Sequence, residues 1–365
     1  MRIWLAPSAF APHKGGVEEL TAQLGRQLVS RGHEVLVVTN RWPRDLPERD
    51  HIEGLEVRRV AFTLPARRPS SLVRHTLGRR TADVAIAALP TPDLVHVQCA
   101  SSQLSFLTRY CRQRDVPLIV TTQGETAMDA QGIYQSNPWL RRHLRKASLQ
   151  AGALTACSAW TRDHARTIAP GFEAAHIVLN GVTPADWTAA PQVADPVVAA
   201  WGRHVQQKGF DLLLSAFHLV RDEMPEARLL LGGSGPLTNS LRQMCGPGVE
   251  FVGPLDRAGV NDLLAGARIA VVPSRIEPFG IVALEALATG RGLVYSSLGG
   301  LSEAAAGLGR KADPHDPKEL ARQIVSELRD PTASQKGVAR AHAMSWSSIT
   351  DEYENVYKSV LERRP

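Results

Sequence analysis

The sequence predicts an α/β protein of two domains, each a parallel sheet covered by helices on both faces. Three observations carry this. The chain has 365 residues, long for a single core and suited to two. Short apolar runs alternate with amphipathic segments from the first residues onward, the pattern of strand–helix–strand units. The alternation breaks at "NGVTPADWTAAPQVADP" (Asn180–Pro196), which is rich in Pro, Ala and Asp and has no period, and then restarts.

In the first half, "RIWLA" (Arg2–Ala6) reads as the opening strand. Gly15–Arg31 follows as a helix, with Leu20, Leu24 and Leu28 on one face. "EVLVVT" (Glu34–Thr39), "LEVRRV" (Leu55–Val60), "DLVHVQ" (Asp93–Gln98), "PLIVTT" (Pro117–Thr122) and "ALTACS" (Ala153–Ser158) read as further strands, most of them separated by helix-like segments. After the break, "VVAAW" (Val197–Trp201), "ARLLLGG" (Ala227–Gly233), "VEFVG" (Val249–Gly253), "IAVVP" (Ile269–Pro273) and "GLVYSS" (Gly292–Ser297) read as strands. Phe210–Glu223, Leu237–Met244 and Ile281–Ala288 read as helices. Ser345–Arg364 closes the chain as an amphipathic helix with Trp346, Ile349, Tyr353, Val356 and Val360 on one stripe.

Composition narrows the class. Apolar residues make up 44% and charged residues 21%, which suits globular domains. No apolar run reaches ~18 residues, so no membrane span is expected. "MRIWLAP" reads as a strand and not a signal peptide, because a turn follows at once. Four scattered cysteines without a CxxC pair argue against a disulfide framework or zinc site and fit a reducing cytoplasm. The net charge is +6, and much of the excess sits in Pro65–Arg80 and Leu140–Leu149. Such stretches can meet phosphates, anionic lipid or nucleic acid, or form a solvated helix face. Nucleic acid is the weakest option, since aromatics are only 5% and none interleave with the basic stretches.

Ligands of parallel α/β sheets bind outside the carboxyl ends of the strands, so two such domains predict a cleft lined by post-strand loops. "SRIEPFGIVALEALATG" (Ser274–Gly290) contains such a loop. Pro278, Phe279, Gly280 and Ile281 stand at a helix N-terminus, where unpaired amides and the helix dipole favour phosphate. Glu277 and Glu285 are eight positions apart. Helical spacing would put their Cα atoms ~12 Å apart and ~80° out of phase. The carboxyls of a retaining hydrolase are ~5 Å apart and those of an inverting one ~6.5–9.5 Å, which disfavours a hydrolase pair. Two separate acceptor roles fit better, one for a ribose diol and one for sugar hydroxyls.

In "AWGRHVQQKGF" (Ala200–Phe210), Arg203 and Lys208 project from a loop after a strand and can clamp a diphosphate. "APHKGGVEEL" (Ala11–Leu20) offers Gly15 and Gly16 but matches neither a P-loop nor a dinucleotide fingerprint. "LLLGGSGPL" (Leu229–Leu237) is a similar glycine-rich loop, bringing Gly233, Ser234, Gly235 and Leu237 to the donor-binding candidates. "VTTQGE" (Val120–Glu125) ends a strand, which makes Gln123 and Glu125 acceptor-binding candidates. His96 joins them, although its place within a strand favours a core role. No cluster has metal-ligand spacing.

Taken together, "GRHVQQKGFDLLLSAF", "LGGSGPL", "EPFGIVALEALATG" and "GGLSE" resemble the retaining glycosyltransferases of family 4, with the GT-B fold of two Rossmann-like domains facing a central cleft. "GGVEEL" and the closing helix look like that family too. The resemblance implies transfer of a sugar from a UDP- or GDP-linked donor with retention and no required metal or other cofactor. It implies that Glu285 holds the donor ribose and Glu277 contacts donor sugar hydroxyls. Arg203 and Lys208 would neutralise the leaving diphosphate, and amides at Phe279–Ile281 and Gly15–Gly16 would complete the phosphate cradle. Many members carry His where this chain has Gln123. Gln hydrogen-bonds but carries no charge, which bears on donor choice. We expect an acceptor-binding domain over 1–180, a nucleotide-sugar domain over 181–345, and a helix over 346–365 packing back on the first. The basic first half suggests a peripheral approach to the inner face of an anionic membrane, with a lipid-linked acceptor. A phosphorylated or acidic soluble acceptor is the alternative. A nucleotide-sugar epimerase or hydrolase, or a non-catalytic carbohydrate-binding relative, are the rival readings of function.

Overall fold

A computed structural model describes residues 1–13, 15–64, 69–128, 133–332 and 335–363, apart from the side chains of 69–77, 133 and 135. It divides into two units, Met1–Val178 with Trp346–Pro365, and Leu179–Ser345.

The first unit runs β1 (Arg2–Pro7), α1 (Gly16–Ser30), β2 (Glu34–Asn40), β3 (Arg49–Ile52), β4 (Leu55–Val60), α2 (Pro69–Ala87), β5 (Leu94–Gln98), α3 (Leu104–Arg114), β6 (Leu118–Thr122), α4 (Ile133–Ser136), α5 (Pro138–Gln150), β7 (Ala153–Ala156), α6 (Ala159–Ile168) and β8 (His176–Ile177). The strands form one sheet in the order β3-β4-β2-β1-β5-β6-β7-β8, parallel except for β3 against β4. The central strands are buried along their length, as a sheet covered on both faces requires. β3 was not expected from the sequence. Its residues, Arg-Asp-His-Ile, are half-exposed at the sheet edge, so burial does not select apolar side chains there. β8 was missed because it has only two residues. "ALTACS" overruns its strand: Ser158 leaves the sheet to form a capping box with Thr161 at the start of α6.

The second unit runs β9 (Val197–Trp201), α7 (Phe210–Glu223), β10 (Arg228–Gly232), α8 (Thr238–Met244), β11 (Val249–Gly253), α9 (Arg257–Ala265), β12 (Ile269–Val272), α10 (Ile281–Ala288), β13 (Gly292–Ser296), α11 (Leu301–Ala305), β14 (Arg310–Ala312), α12 (Pro317–Arg329) and α13 (Gln335–Ala343). Its sheet has the order β11-β10-β9-β12-β13-β14, all parallel. The chain winds outward from β9 in one direction and from β12 in the other. β14, three residues with a charged middle, escaped the sequence reading.

The last helix, α14 (Trp346–Glu362), belongs to the first unit. Trp346, Ile349, Thr350, Tyr353, Val356, Tyr357 and Val360 are its buried residues. Arg31, just past α1, donates to Ser347 O at 2.7 Å, to Asp351 at 2.6 Å and to Glu354 at 3.0 Å. Under the helix lies His96 of β5, fully buried. Its Nδ1 is 2.8 Å from the Tyr357 hydroxyl and its Nε2 is 2.6 Å from Thr121 Oγ1 of β6. Both ring nitrogens are engaged inside the core, which corrects the assignment of His96 to acceptor binding. It fastens the closing helix to the sheet.

Burial pushes the His96 pKa down from 6.5 to about 3. A folded value below the unfolded one means stability that is complete above pH 6.5 and is lost as the pH falls toward 3. Between pH 7 and pH 5 the wild type should lose about 2 kcal/mol more unfolding free energy than His96→Gln. Urea denaturation of both proteins at the two pH values tests this, and parallel losses would overturn it.

Candidate active site

Ligand sites of open parallel sheets lie at the carboxyl ends of the strands where the winding reverses. In the second unit that point falls between β9 and β12. The loops leaving these two strands carry Arg203, Lys208 and Glu277. Backbone contacts zip the post-strand loops together. His204 N donates to Ser234 O at 2.9 Å and Leu237 N to His204 O at 3.1 Å, joining the loops after β9 and β10. Arg275 N donates to Gln207 O at 2.8 Å, joining those after β9 and β12. Gly300 N donates to Glu277 O at 2.8 Å, joining those after β12 and β13.

Two glycines make this approach possible. Gly209 has φ +68°, and a Cβ there would lie 2.2 Å from Pro273 O. Gly299 has φ +80°, and its Cβ would lie 2.2 Å from Glu277 O. Both conformation and space exclude larger residues. A bidentate ion pair adds to the lock. Arg275 donates to the two carboxylate oxygens of Asp211, in the first turn of α7, at 2.7 and 2.6 Å. Each partner favours the other's charge: Asp211 titrates below its ordinary value and Arg275 above. Neither residue was singled out from the sequence, because their partnership crosses two loops that only the fold brings together.

Inside this frame Lys208 Nζ lies 2.6 Å from Glu277 Oε2, and Ser274 Oγ donates to the same oxygen at 3.3 Å. The Lys208 and Glu277 side chains are 21% and 11% exposed, so the pair is reachable from solvent but largely enclosed. Arg203 is exposed and makes no ion pair among the described residues. Phe279 is buried and anchors the turn. Gly280 caps α10 with φ +100°, and Ile281 begins the helix. The amides of this first turn have no partner within the helix itself. Glu285, one turn further, is half-buried and accepts from Trp201 Nε1 at 3.1 Å. The bonds from Lys208 and Ser274 to Glu277 and from Trp201 to Glu285 thus come from different side chains.

The glycine-rich loop after β10 is built differently from an open cradle. Gly233 N donates to Gly253 O, Gly235 N to Thr238 Oγ1 and Leu237 N to His204 O, while Ser234 O receives His204 N. Its amides at 233, 235 and 237 are engaged within the protein, so the loop supports the neighbouring one after β9.

In the first unit the winding reverses between β1 and β5. Gly15 and Gly16 are exposed at the start of α1, the helix that follows β1. Gln123 and Glu125 follow β6, the next strand over. The Glu125 carboxylate accepts from Ala100 N at 2.9 Å, Gln123 N at 2.7 Å and Thr122 Oγ1 at 3.3 Å. Burial pushes its pKa up, against these bonds. Glu125 therefore ties the loops after β5 and β6 and shapes the turn that carries Gln123. Of the basic stretches, Pro65–Arg80 lies outside the described residues in its side chains up to 77. Leu140–Leu149 lies on α5 with Arg142, Arg145 and Lys146 exposed and Arg141 half-buried.

Two α/β units, each built on a parallel sheet, have the architecture of the GT-B glycosyltransferases. Residues 14–186 match the family model described as Glycosyltransferase Family 4, and residues 195–330 match Glycosyl transferases group 1. The chain belongs to glycosyltransferase family 4. Glycogen synthase of Mycobacterium tuberculosis is 27% identical, with 100% of this chain and 97% of that protein aligned. Sucrose-phosphate synthase from Thermosynechococcus elongatus has the same fold, with a TM-score of 0.80 at 22% identity over 100% of both chains. HepE from Anabaena, solved in complex with UDP and glucose, gives 0.75 at 18% identity over 98% of this chain and 100% of that one.

Gly209→Ala tests the zipped loops. The added Cβ must move Pro273 O, and the left-handed backbone is strained as well. We expect a loss of more than about 1 kcal/mol in urea unfolding. Unchanged stability would show that the loops separate at no cost.

Proposed function

We propose that this glycosyltransferase moves a hexosyl group from a UDP- or GDP-linked sugar to an acceptor hydroxyl with retention at the anomeric carbon. The observation that carries the reading is the Lys208–Glu277 pair at the winding reversal, with the first-turn amides of α10 between Glu277 and Glu285. The second unit binds the donor and the first receives the acceptor. HepE, of the same fold, was solved with UDP and glucose, which supports a nucleotide-sugar donor.

Glu285 accepts from the ribose diol and Glu277 from donor sugar hydroxyls. An ionised carboxylate has only acceptors, which matches two sets of hydroxyl donors. Lys208, Arg203 and the amides at Phe279–Ile281 face the diphosphate. As the sugar–phosphate bond breaks, charge builds on the leaving oxygen, and fixed cations and helix-end amides stabilise that state more than the ground state. Lys208 is already oriented by Glu277, so little reorganisation is needed. The acceptor hydroxyl attacks on the face from which the diphosphate leaves, and its proton passes to the departing phosphate oxygen. These cations take the role a divalent ion plays elsewhere, and the enzyme works without metal or other cofactor.

The acceptor is lipid-linked, reached from the inner face of an anionic membrane through α5, in a cytoplasmic and peripherally bound enzyme. No described helix is long and apolar enough to cross a membrane. The exposed Arg142, Arg145 and Lys146 suit a surface approach. Nucleic acid has no place in this reading.

Two experiments test it. Nucleotide release across a panel of UDP- and GDP-sugars, with and without acceptor extract and in the presence of EDTA, should detect turnover with at least one donor. Lys208→Ala and Glu285→Ala should each lower it by about 100-fold or more with the fold intact by circular dichroism. Near-full activity in either variant would overturn the site assignment. Co-sedimentation with vesicles containing phosphatidylglycerol should fall when Arg141, Arg142, Arg145 and Lys146 are neutralised together. Unchanged binding would remove the membrane from the proposal.

A further inference from the structure

Trp201 is the last residue of β9 and is buried. Its indole N–H donates to Glu285 Oε2 at 3.1 Å across 84 residues of sequence. Indole has one donor and no acceptor, so at this position it can only recognise a group that accepts. A void of about 10 Å³ is walled by the same ring together with Lys208 and Ser274. Those two residues are the donors to Glu277. One side chain therefore touches the surroundings of both carboxylates. The strand end is rigid: Trp201 pairs in register with Gly232 of β10, and the next residue, Gly202, donates its N–H to Gly232 O at 3.1 Å.

We propose that Trp201 is a positioning residue that sets the rotamer and carboxylate plane of Glu285 and thereby the enzyme's preference for an intact ribose diol. This rests on the reading of Glu285 as the ribose acceptor. A glutamate on a half-buried helix face has three side-chain torsions. A donor fixed to the sheet removes that freedom before the nucleotide arrives, which lowers the ordering cost of binding. The bond is charge-assisted, so its loss is felt. Because Trp201 acts on ribose, which does not react, it contributes equally in the ground and transition states and should appear in KM and not in kcat.

The test uses the full chain and isothermal titration with UDP, GDP and ADP, and with the 2′-deoxy and 3′-deoxy forms of whichever binds. Wild type should prefer the intact ribose by about tenfold or more. Trp201→Phe keeps the ring and removes the N–H. It should weaken binding of the ribonucleotide about tenfold, leave the deoxy forms nearly unchanged, and raise donor KM at constant kcat. Should that variant not fold, benzothienylalanine at position 201 replaces the N–H with sulfur at nearly the same size. Glu285→Ala should abolish the preference, and adding Trp201→Phe to it should change nothing further. If Glu285→Ala removes the preference and Trp201→Phe leaves it intact, or weakens all nucleotides equally, the positioning role is wrong while the donor reading stands. If Glu285→Ala keeps the preference, or none of the three nucleotides binds, the donor reading itself falls and this inference with it.

Discussion

The second unit's site depends on the ion pair between Lys208 and Glu277. An ammonium and a carboxylate that are mostly shielded from water persist only if geometry is good and other hydrogen bonds help. Both conditions are met by backbone. Lys208 is delivered by a tight turn that ends at Gly209, and Glu277 by a loop pinned at its carbonyl by Gly300 N. The Arg275–Asp211 pair holds that loop to α7. The glycines at 209 and 299 are what allow the loops to meet at all. Remove the close approach and the two charges would have to be held by long flexible side chains, at the cost of their rotamer entropy.

Much of this frame was legible in the sequence. β9 and α7 have the expected bounds because a fully buried parallel strand is an unbroken apolar run and a covering helix has a clear period. β11 and α10 also have the expected bounds, although β11 is only half-buried and α10 is apolar nearly all round. The loops carrying Arg203, Lys208 and Glu277 could be placed because they directly follow such strands. What was not legible are partnerships between distant residues. Arg275 meets Asp211 across 64 positions and Trp201 meets Glu285 across 84. Neither Asp nor Trp has an unusual neighbourhood in the sequence. Short edge strands with polar residues were missed for the complementary reason: no burial writes a pattern into them.

Polar residues on and just after the central strands of the first unit are held by internal bonds. His96 and Glu125 both sit on or just beyond central strands, where ligand-binding groups are expected. His96 is neutral in the core and joins three elements, β5, β6 and α14. Glu125 gathers two backbone amides and a hydroxyl from the loops after β5 and β6. A parallel sheet buries its strand ends under loops, and those loops have amides that must be paired. A carboxylate is the most economical partner for several amides at once. Position alone therefore does not separate a ligand-facing group from a loop-tying one.

The kind of side-chain donor distinguishes the two glutamates of the second unit. Glu277 receives two side-chain donors on one oxygen, one of them a cation that a diphosphate would compete for. Glu285 receives a neutral indole fixed to the sheet. The first arrangement can redistribute as charge develops on a leaving group, because the cation is shared. The indole donor to the second has no charge to share and is fixed at the end of β9. On the proposed reading, a carboxylate paired with an oriented cation suits the bond that breaks, and one that takes a fixed neutral donor suits the ribose, which stays the same from binding to product.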